Sequence, residues 1–405
     1  MAKVPKIRFN GFTEEWSERT LSELSDKVSA KNVNKAYTET FTNSAEYGII
    51  SQRDFFDHDI SNKENISGYY VVKEDDFVYN PRISKSAPVG PINRNKLGRT
   101  GIVSPLYTVF RPKSISADYL EIFFKQKSWN KYMAFHGNTG ARLDRFSISD
   151  EVFWLMPIDC PCEAEQKEIY SLFSHITHTI SQNEIKLEKL KNIKKSLLEK
   201  LFPQDGQSTP PIRFRGFNTE WATVPFGGIL RESKEVSTKE DEDVLLSSAI
   251  EGMFLNSELF DHQRGRSNVG YRKVVRGMLI LSAQNLHLGN ANVNLRFGHG
   301  LVSPAYKAYY LLGVDETFIA VWVKREETKV FFDRATTAGA SKCRKNINWD
   351  DLYQQCLAIP TDCEQEKIGK LMLTLDKIIS MREKYIILLK HTEQALLEQM
   401  FVNKK

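Results

Sequence analysis

Apolar residues recur at alternating spacings of three and four through two long stretches of the chain, 163–202 and 364–401. In the first, the a positions are Ile169, Ile176, Asn183, Leu190 and Leu197, and the d positions Phe173, Ile180, Leu187, Lys194 and Leu201. In the second they are Ile368, Leu375, Arg382, Leu389 and Leu396, with Met372, Ile379, Ile386, Glu393 and Met400 at d. A 3.5-residue seam held for about five heptads predicts long helices that pair as a coiled coil. Neither stretch contains proline, and Pro203 stops the first just past its end. The polar interruptions fall at equivalent places, Asn183 with Arg382 and Lys194 with Glu393, and read as register devices. Each helix would be roughly 60 Å long. Two helices so alike are expected to be each other's partners.

The likeness extends beyond the helices. Pro5-Lys6-Ile7-Arg8-Phe9-Asn10-Gly11-Phe12, followed by Glu15-Trp16, returns as Pro210-Pro211-Ile212-Arg213-Phe214-Arg215-Gly216-Phe217 with Glu220-Trp221. Phe56-Asp57-His58 returns as Phe260-Asp261-His262, and Gly101-Ile102-Val103-Ser104-Pro105 as Gly300-Leu301-Val302-Ser303-Pro304. Glu165-Gln166 and Glu364-Gln365 open the two helical stretches. The pattern is a tandem duplication of one globular region followed by one long helix. Boundaries fall at 1–160, 161–203, 204–359 and 360–405. Within the globular regions, alternating runs at 69–73, 76–79, 102–111, 278–281 and 301–311 predict strands. Helical spacing at 117–135 and 315–331 predicts helices. The fold class is therefore α+β.

Composition narrows the setting. The apolar and charged fractions, 41% and 26%, are those of an ordinary globular protein. No run of 18 apolar residues occurs, and the first residues lack the apolar stretch of a signal peptide. Five cysteines, an odd number, point to a reducing compartment, so a cytoplasmic location is expected. A net charge of +5 leans towards an anionic partner without naming one.

The two copies agree in framework and differ in their loops. After the aligned strands come Asn80-Pro81-Arg82-Ile83-Ser84-Lys85 and Ser282-Ala283-Gln284-Asn285-Leu286-His287. Asn or Gln can bond adenine bidentately and Arg can bond guanine. One scaffold with two unlike polar loops suits the reading of two short DNA sequences. Candidate base readers are Arg53, Asn80, Arg82, Lys85, Gln284, Asn285 and His287. Arg142 and Arg145 after Gly140-Ala141, matched by Lys342 and Arg344 after Gly339-Ala340, are candidate phosphate contacts. The lysine-rich run 186–200 is the wet side of a helix that could also touch phosphate.

At this point the chain resembles the specificity subunit of a Type I restriction–modification enzyme, over its whole length. The carriers are the order domain, long helix, domain, long helix, the repeated Pro-x-Ile-Arg-Phe-x-Gly-Phe opening, the strand and loop at 76–82, and the stretch 137–149 leading into the Glu-Gln helix start. The resemblance implies two target recognition domains, each reading half of a split, asymmetric DNA target. It implies long helices that pack antiparallel as a spacer and dock two modification subunits, and a restriction subunit in the full complex. It also implies that this chain is a non-catalytic part of a DNA adenine methyltransferase and site-specific deoxyribonuclease. S-adenosylmethionine, ATP and Mg²⁺ would then be used by partner subunits, with no cofactor or metal held here.

Residues argue against the competing chemistries. Asn80-Pro81-Arg82-Ile83 lacks the second proline and the aromatic of an adenine-methylating loop, and no G-x-G-x-x-G or G-x-x-x-x-G-K-[ST] loop is present. Cys160-Pro161-Cys162 is too close for a zinc pair, and His175 with His178 has no acidic companion. A stand-alone methyltransferase or DNA-binding protein and a purely structural coiled-coil linker remain the alternatives.

Overall fold

The computed structural model describes residues 4–55, 66–139, 144–204, 206–260, 267–341 and 344–402. The chain is a mixed α/β protein whose contacts divide it into two compact units. The first comprises Met1–Asn183 with Tyr385–Lys405, and the second Glu184–Lys384. These units do not follow the sequence boundaries, because each long helix is divided near its middle. The helices span Glu163–Lys200 and Asp362–Gln399.

In the first unit a four-stranded antiparallel sheet has the order Ser25–Lys27, Thr108–Pro112, Phe77–Tyr79, Ile92–Arg94. Alongside lie the pair Tyr70–Val72 with Gly101–Val103 and the hairpin Phe41–Ser44 with Gly48–Ser51. The core gathers Phe77, Phe110, Tyr119, Phe123 and Phe153 with Trp16. Ile169 and Phe173 enter it from the first long helix and Leu397 from the second, joined by Met400 and Phe401 just past that helix's end. The start of one long helix and the end of the other thus meet in this core, and Thr177 Oγ1 donates to Glu393 Oε1 at 3.0 Å.

The second unit repeats the strand order with Leu230–Glu232, Tyr306–Leu311, Leu279–Ser282 and Ala291–Val293. Its core holds Phe226, Phe318, Trp322 and Phe332, with Leu201 and Phe202 just past the end of one long helix and Ile368 and Met372 from the other. Lys191 pairs with Glu383 at 2.7 Å, and Lys194, a polar d residue, pairs with Asp376. All sixteen apolar seam residues are buried or half-buried.

Two sequence expectations need correction. The stretches 117–135 and 315–331 are each two helices, Ala117–Lys125 then Ser128–His136, and Glu316–Trp322 then Glu326–Arg334. Gln126 and Arg325 take extended backbone at the breaks, and Gln126 Oε1 caps the next helix by accepting from the Ser128 N–H. Likewise 102–111 and 301–311 are not single strands. Turns at Ser104-Pro105 and Ser303-Pro304 divide them, with the Tyr107 and Tyr306 N–H groups closing onto the Ser104 and Ser303 carbonyls at 3.0 Å. The halves then join different sheets.

The repeated motifs have a physical role. Arg8 donates twice to Glu165, at 2.7 and 2.8 Å, and Arg213 does the same to Glu364. The neighbouring glutamine clips two further pieces together. Gln166 accepts from the Ser116 N–H and donates to the Pro161 carbonyl, while Gln365 accepts from Asp315 and donates to Pro360. The opening motif and the Glu-Gln helix start are thus two sides of one joint, which fixes how each helix leaves its sheet.

Candidate nucleic-acid interface

Residues 80–85 leave the central strand Phe77–Tyr79 of the first unit. Asn80 stands at the exit, only 7% exposed. Its Nδ2 donates to the Asn43 carbonyl at 2.9 Å, and its Oδ1 accepts the Arg82 N–H at 3.0 Å, so the chain turns outward there. Asn43 in turn donates to the carbonyls of Val78 and Pro91, and its Oδ1 accepts from Asn93 at 2.7 Å. Gly90 (φ +85) closes the far side, where a Cβ would lie 2.2 Å from the Asn80 carbonyl oxygen. Asn80, a candidate base reader from the sequence, thus has its amide engaged inside the unit, where it holds the root of the loop. Asn80→Ala should therefore destabilise the protein by about 1–3 kcal/mol, through buried partners left unsatisfied. Urea unfolding is the check, and an unchanged midpoint would dismiss the network as a support.

Arg82 and Lys85 are exposed. The segment 81–83 runs beside 144–146: the Ile83 N–H meets the Asp144 carbonyl at 3.0 Å, and the Phe146 N–H meets the Pro81 carbonyl at 2.7 Å. Arg82 and Arg145 thereby face each other across one backbone bridge. The sequence assigned them to different jobs, and the fold puts them in one place. Arg145 precedes the strand Phe146–Ser147, which pairs with Asn138–Thr139. Gly137 permits that hairpin to lie close, since a Cβ would fall 2.4 Å from the Phe146 ring. Arg142 lies outside the described residues. Arg53 is exposed on the short helix Gln52–Phe55. The Arg99 guanidinium holds the Glu39 carboxyl below its ordinary range, with Arg53 adding a smaller share.

In the second unit Ser282 is buried and its Oγ accepts the Asn285 N–H at 3.2 Å. Gln284 and Asn285 are exposed, Leu286 is buried as an anchor, and His287 is half-buried. A single turn, Leu286–Leu288, ends at the left-handed Gly289. Lys345 donates to Asp333 and, with smaller help from Thr336 and His287, holds that carboxyl below its usual range. The loop thus approaches the hairpin Thr336–Ser341 with Arg344–Ile347 through Asp333. Lys342 lies outside the described residues, and Arg344 is described through its backbone alone. Lys345, next to two chosen cations, is the one seen near the loop, and the sequence reading missed it.

The supports were missed as well. Ser248 stands where Asn43 does, its Oγ donating to Asn290 Oδ1 at 3.0 Å and accepting from Asn292 Nδ2 at 2.6 Å. Asn93 and Asn292 occupy the same register place opposite Val78 and Ile280, a coincidence that the repeat could have exposed. Among the described residues no group of histidine, cysteine and carboxylate side chains could hold a metal. Cys160 is buried, its thiol pushed up to about 12. No helix is long and apolar enough to cross a membrane among the described residues.

No family model and no curated protein sequence matches the chain. Solved structures do. The S subunit of a Type I restriction–modification system from M. genitalium matches with a TM-score of 0.57 and 13% identity, covering 99% of this chain and 100% of that one. The HsdS subunit from Thermoanaerobacter tengcongensis matches at 0.52 and 14%, covering 99% of each. A chain from a study of assembly and conformational transition in the type I R-M system matches at 0.52 and 13%, covering 97% of this chain and 99% of its own. At these identities the likeness establishes the fold: from end to end this chain is folded like Type I specificity subunits.

Proposed function

We propose that this chain is the DNA-recognition subunit of a Type I restriction–modification complex. The observation that carries the reading is one strand order used twice, with unlike polar loops at the same exit, Arg82 and Lys85 in one unit and Gln284 and Asn285 in the other. Each loop lies by a hairpin bearing cations. On this reading the two units arose by tandem duplication, and each reads one half of a split, asymmetric target. The long helices form an antiparallel coiled coil that sets the gap between the half-sites. Two modification subunits and a restriction subunit dock on the chain, and S-adenosylmethionine, ATP and Mg²⁺ belong to them. The complex works in the cytoplasm.

A second stripe on the helix Asp362–Gln399 supports docking. Ile378, Met381, Tyr385 and Leu388 follow three- and four-residue steps on its exposed side, apart from the buried seam. Apolar side chains aligned in water are the mark of a partner surface.

The test is to co-express the chain with modification subunits and sequence the methylated adenines of the host genome. Two short half-sites separated by roughly five to eight unspecified base pairs are expected, about one helical turn from reader to reader. One continuous palindrome would sink the reading. In the same complex Gln284→Ala should cost about 1–3 kcal/mol of preference at one half-site. Arg145→Ala should weaken all sequences alike and flatten the dependence of log affinity on log salt. A uniform loss from Gln284→Ala would reverse the two roles. Labelling of this chain alone by ultraviolet crosslinking to S-adenosylmethionine would favour a stand-alone methyltransferase instead.

A further inference from the structure

Lys324 follows the helix Glu316–Trp322 in the second unit, and its ammonium points inward. It donates to the Ile250 carbonyl at 2.7 Å, in the turn between Leu246–Ser248 and Met253–Leu255, to the Ala291 carbonyl at 3.3 Å, and to Asn292 Oδ1. Three N–H groups meet three acceptors, and among the described residues no carboxylate bonds it. Asn292 passes the constraint on, donating to Ser248 Oγ and to the Ala249 carbonyl at 2.7 Å. Ser248 is doubly bonded to Asn290. The Asn290 N–H reaches the Asn285 carbonyl at 3.3 Å, and its carbonyl accepts the Ser282 N–H at 3.1 Å. A continuous chain of hydrogen bonds therefore runs from Lys324 to the loop that carries Gln284 and Asn285.

The first unit is built differently at the matching place. Lys125 ends the helix Ala117–Lys125, which, like Glu316–Trp322, follows a capping residue whose N–H is held by the glutamine of a long helix. Lys125 is exposed, and with Ala45, Ile92 and Asn93 it lines an open cavity of about 440 Å³. The residues that would correspond to those supplying the Lys324 acceptors thus line a cavity here.

We infer that Lys324 is a positioning residue for base recognition by the second unit, pinning the hairpin turn to the strand beside the reading loop, a pin with no counterpart among the described residues of the first unit. This rests on the DNA-recognition reading above. Burial pushes Lys324 down to about 8; Glu251 and Asp376 favour its charge, while Lys194 and Lys329 oppose it. Above that pH the neutral amine keeps two N–H groups for three acceptors, so one bond is lost. The folded value lies below that of an unfolded lysine, so the unfolded state binds more protons between them. Through that window the contribution of Lys324 to stability rises with pH. A loosened loop at pH 9 is then distinct from unfolding.

The experiment uses the full complex and duplexes in which one half-site at a time is substituted, comparing affinities at pH 7 and pH 9. Lys324→Met should lower discrimination about two- to thirtyfold at one half-site and leave the other intact. The unmodified complex should lose part of the same discrimination at pH 9, Lys324→Met should show no such pH dependence, and Lys125→Met should change neither half-site. Unaltered discrimination in Lys324→Met, or equal loss at both half-sites, overturns the assignment. If Lys324→Met fails to fold, constant discrimination in the unmodified complex between pH 7 and pH 9 overturns it as well. A complex with no sequence preference at all would overturn the recognition reading, whereas a discriminating complex indifferent to Lys324 overturns this inference alone.

Discussion

Arg8→Ala is expected to destabilise the first unit by about 3–5 kcal/mol, the cost of stranding a buried charge. Glu165 is 1% exposed, and its two oxygens accept from Arg8 Nε and Nη2. Trp16 Nε1 adds a third bond at 3.0 Å. Hydrogen bonding to Glu165 raises the guanidinium's affinity for its proton. Without Arg8 a buried carboxylate keeps one indole donor. Replacing both partners with apolar residues, as in Arg8→Met with Glu165→Leu, should cost far less than the single change, because no charge is left behind. Arg213→Ala should fall at the upper end of the range, since Trp221 Nε1 is buried without a partner among the described residues and Glu364 would have no indole donor. Urea unfolding of the single and paired variants checks this. A loss under about 1 kcal/mol for Arg8→Ala, or equal losses for the single and paired changes, would remove the joint from the stability account.

That joint shows what kind of information the sequence carried. Both its halves were visible as repeats, Pro-x-Ile-Arg-Phe and Glu-Gln, but repetition says that a motif matters and not what it touches. Arg8 and Glu165 are separated by 157 positions, and no periodicity links them. The long helices were legible because a 3.5-residue seam is a local signal sustained for five turns of the pattern. The broken helices were not. Ala117 to Phe135 keeps its apolar spacing across Gln126, and only a side chain turning to cap Ser128 ends the first segment. The strand errors have another cause: Ser-Pro turns lie inside apolar runs, and alternation alone does not reveal a change of sheet. Of the two polar loops the position was legible, since they follow matching strands, and Arg82 and Gln284 are exposed there. Asn80 was legible as a polar residue at a loop's root, but its bonds to the frame were not, because they reach a residue 37 positions away. Lys324 and Ser248 gave no signal at all, being ordinary letters made important by burial.

The same long-range packing sets a condition on the largest functional effect expected here. On the recognition reading, moving the first globular region onto a related chain carries one half-site with it and leaves the other behind. Residues 1–160 alone are not a self-contained core, however. Phe401 packs against Trp16 at 6.0 Å, Tyr119 at 6.0 Å and Phe123 at 6.4 Å between ring centroids, and Leu397 and Met400 lie in the same cluster. A chimera built from 1–160 therefore meets foreign residues where the end of the second long helix belongs. It should fold only if the recipient supplies large apolar side chains at the places of Leu397, Met400 and Phe401. Exchanging 1–183 together with 385–402 keeps the cluster whole and should transfer the half-site without loss of stability. Phe401→Ala within that chimera should then cost about 3–5 kcal/mol, as for other aromatic truncations in a core. Methylated-adenine sequencing reads the transferred half-site, and urea unfolding reads the packing. Inserting whole heptads between Leu187 and Leu197 should lengthen the tolerated gap and leave both half-sites unchanged, because the seam resumes in register. A chimera that folds well yet changes both half-sites, or neither, would end the idea that each unit reads alone.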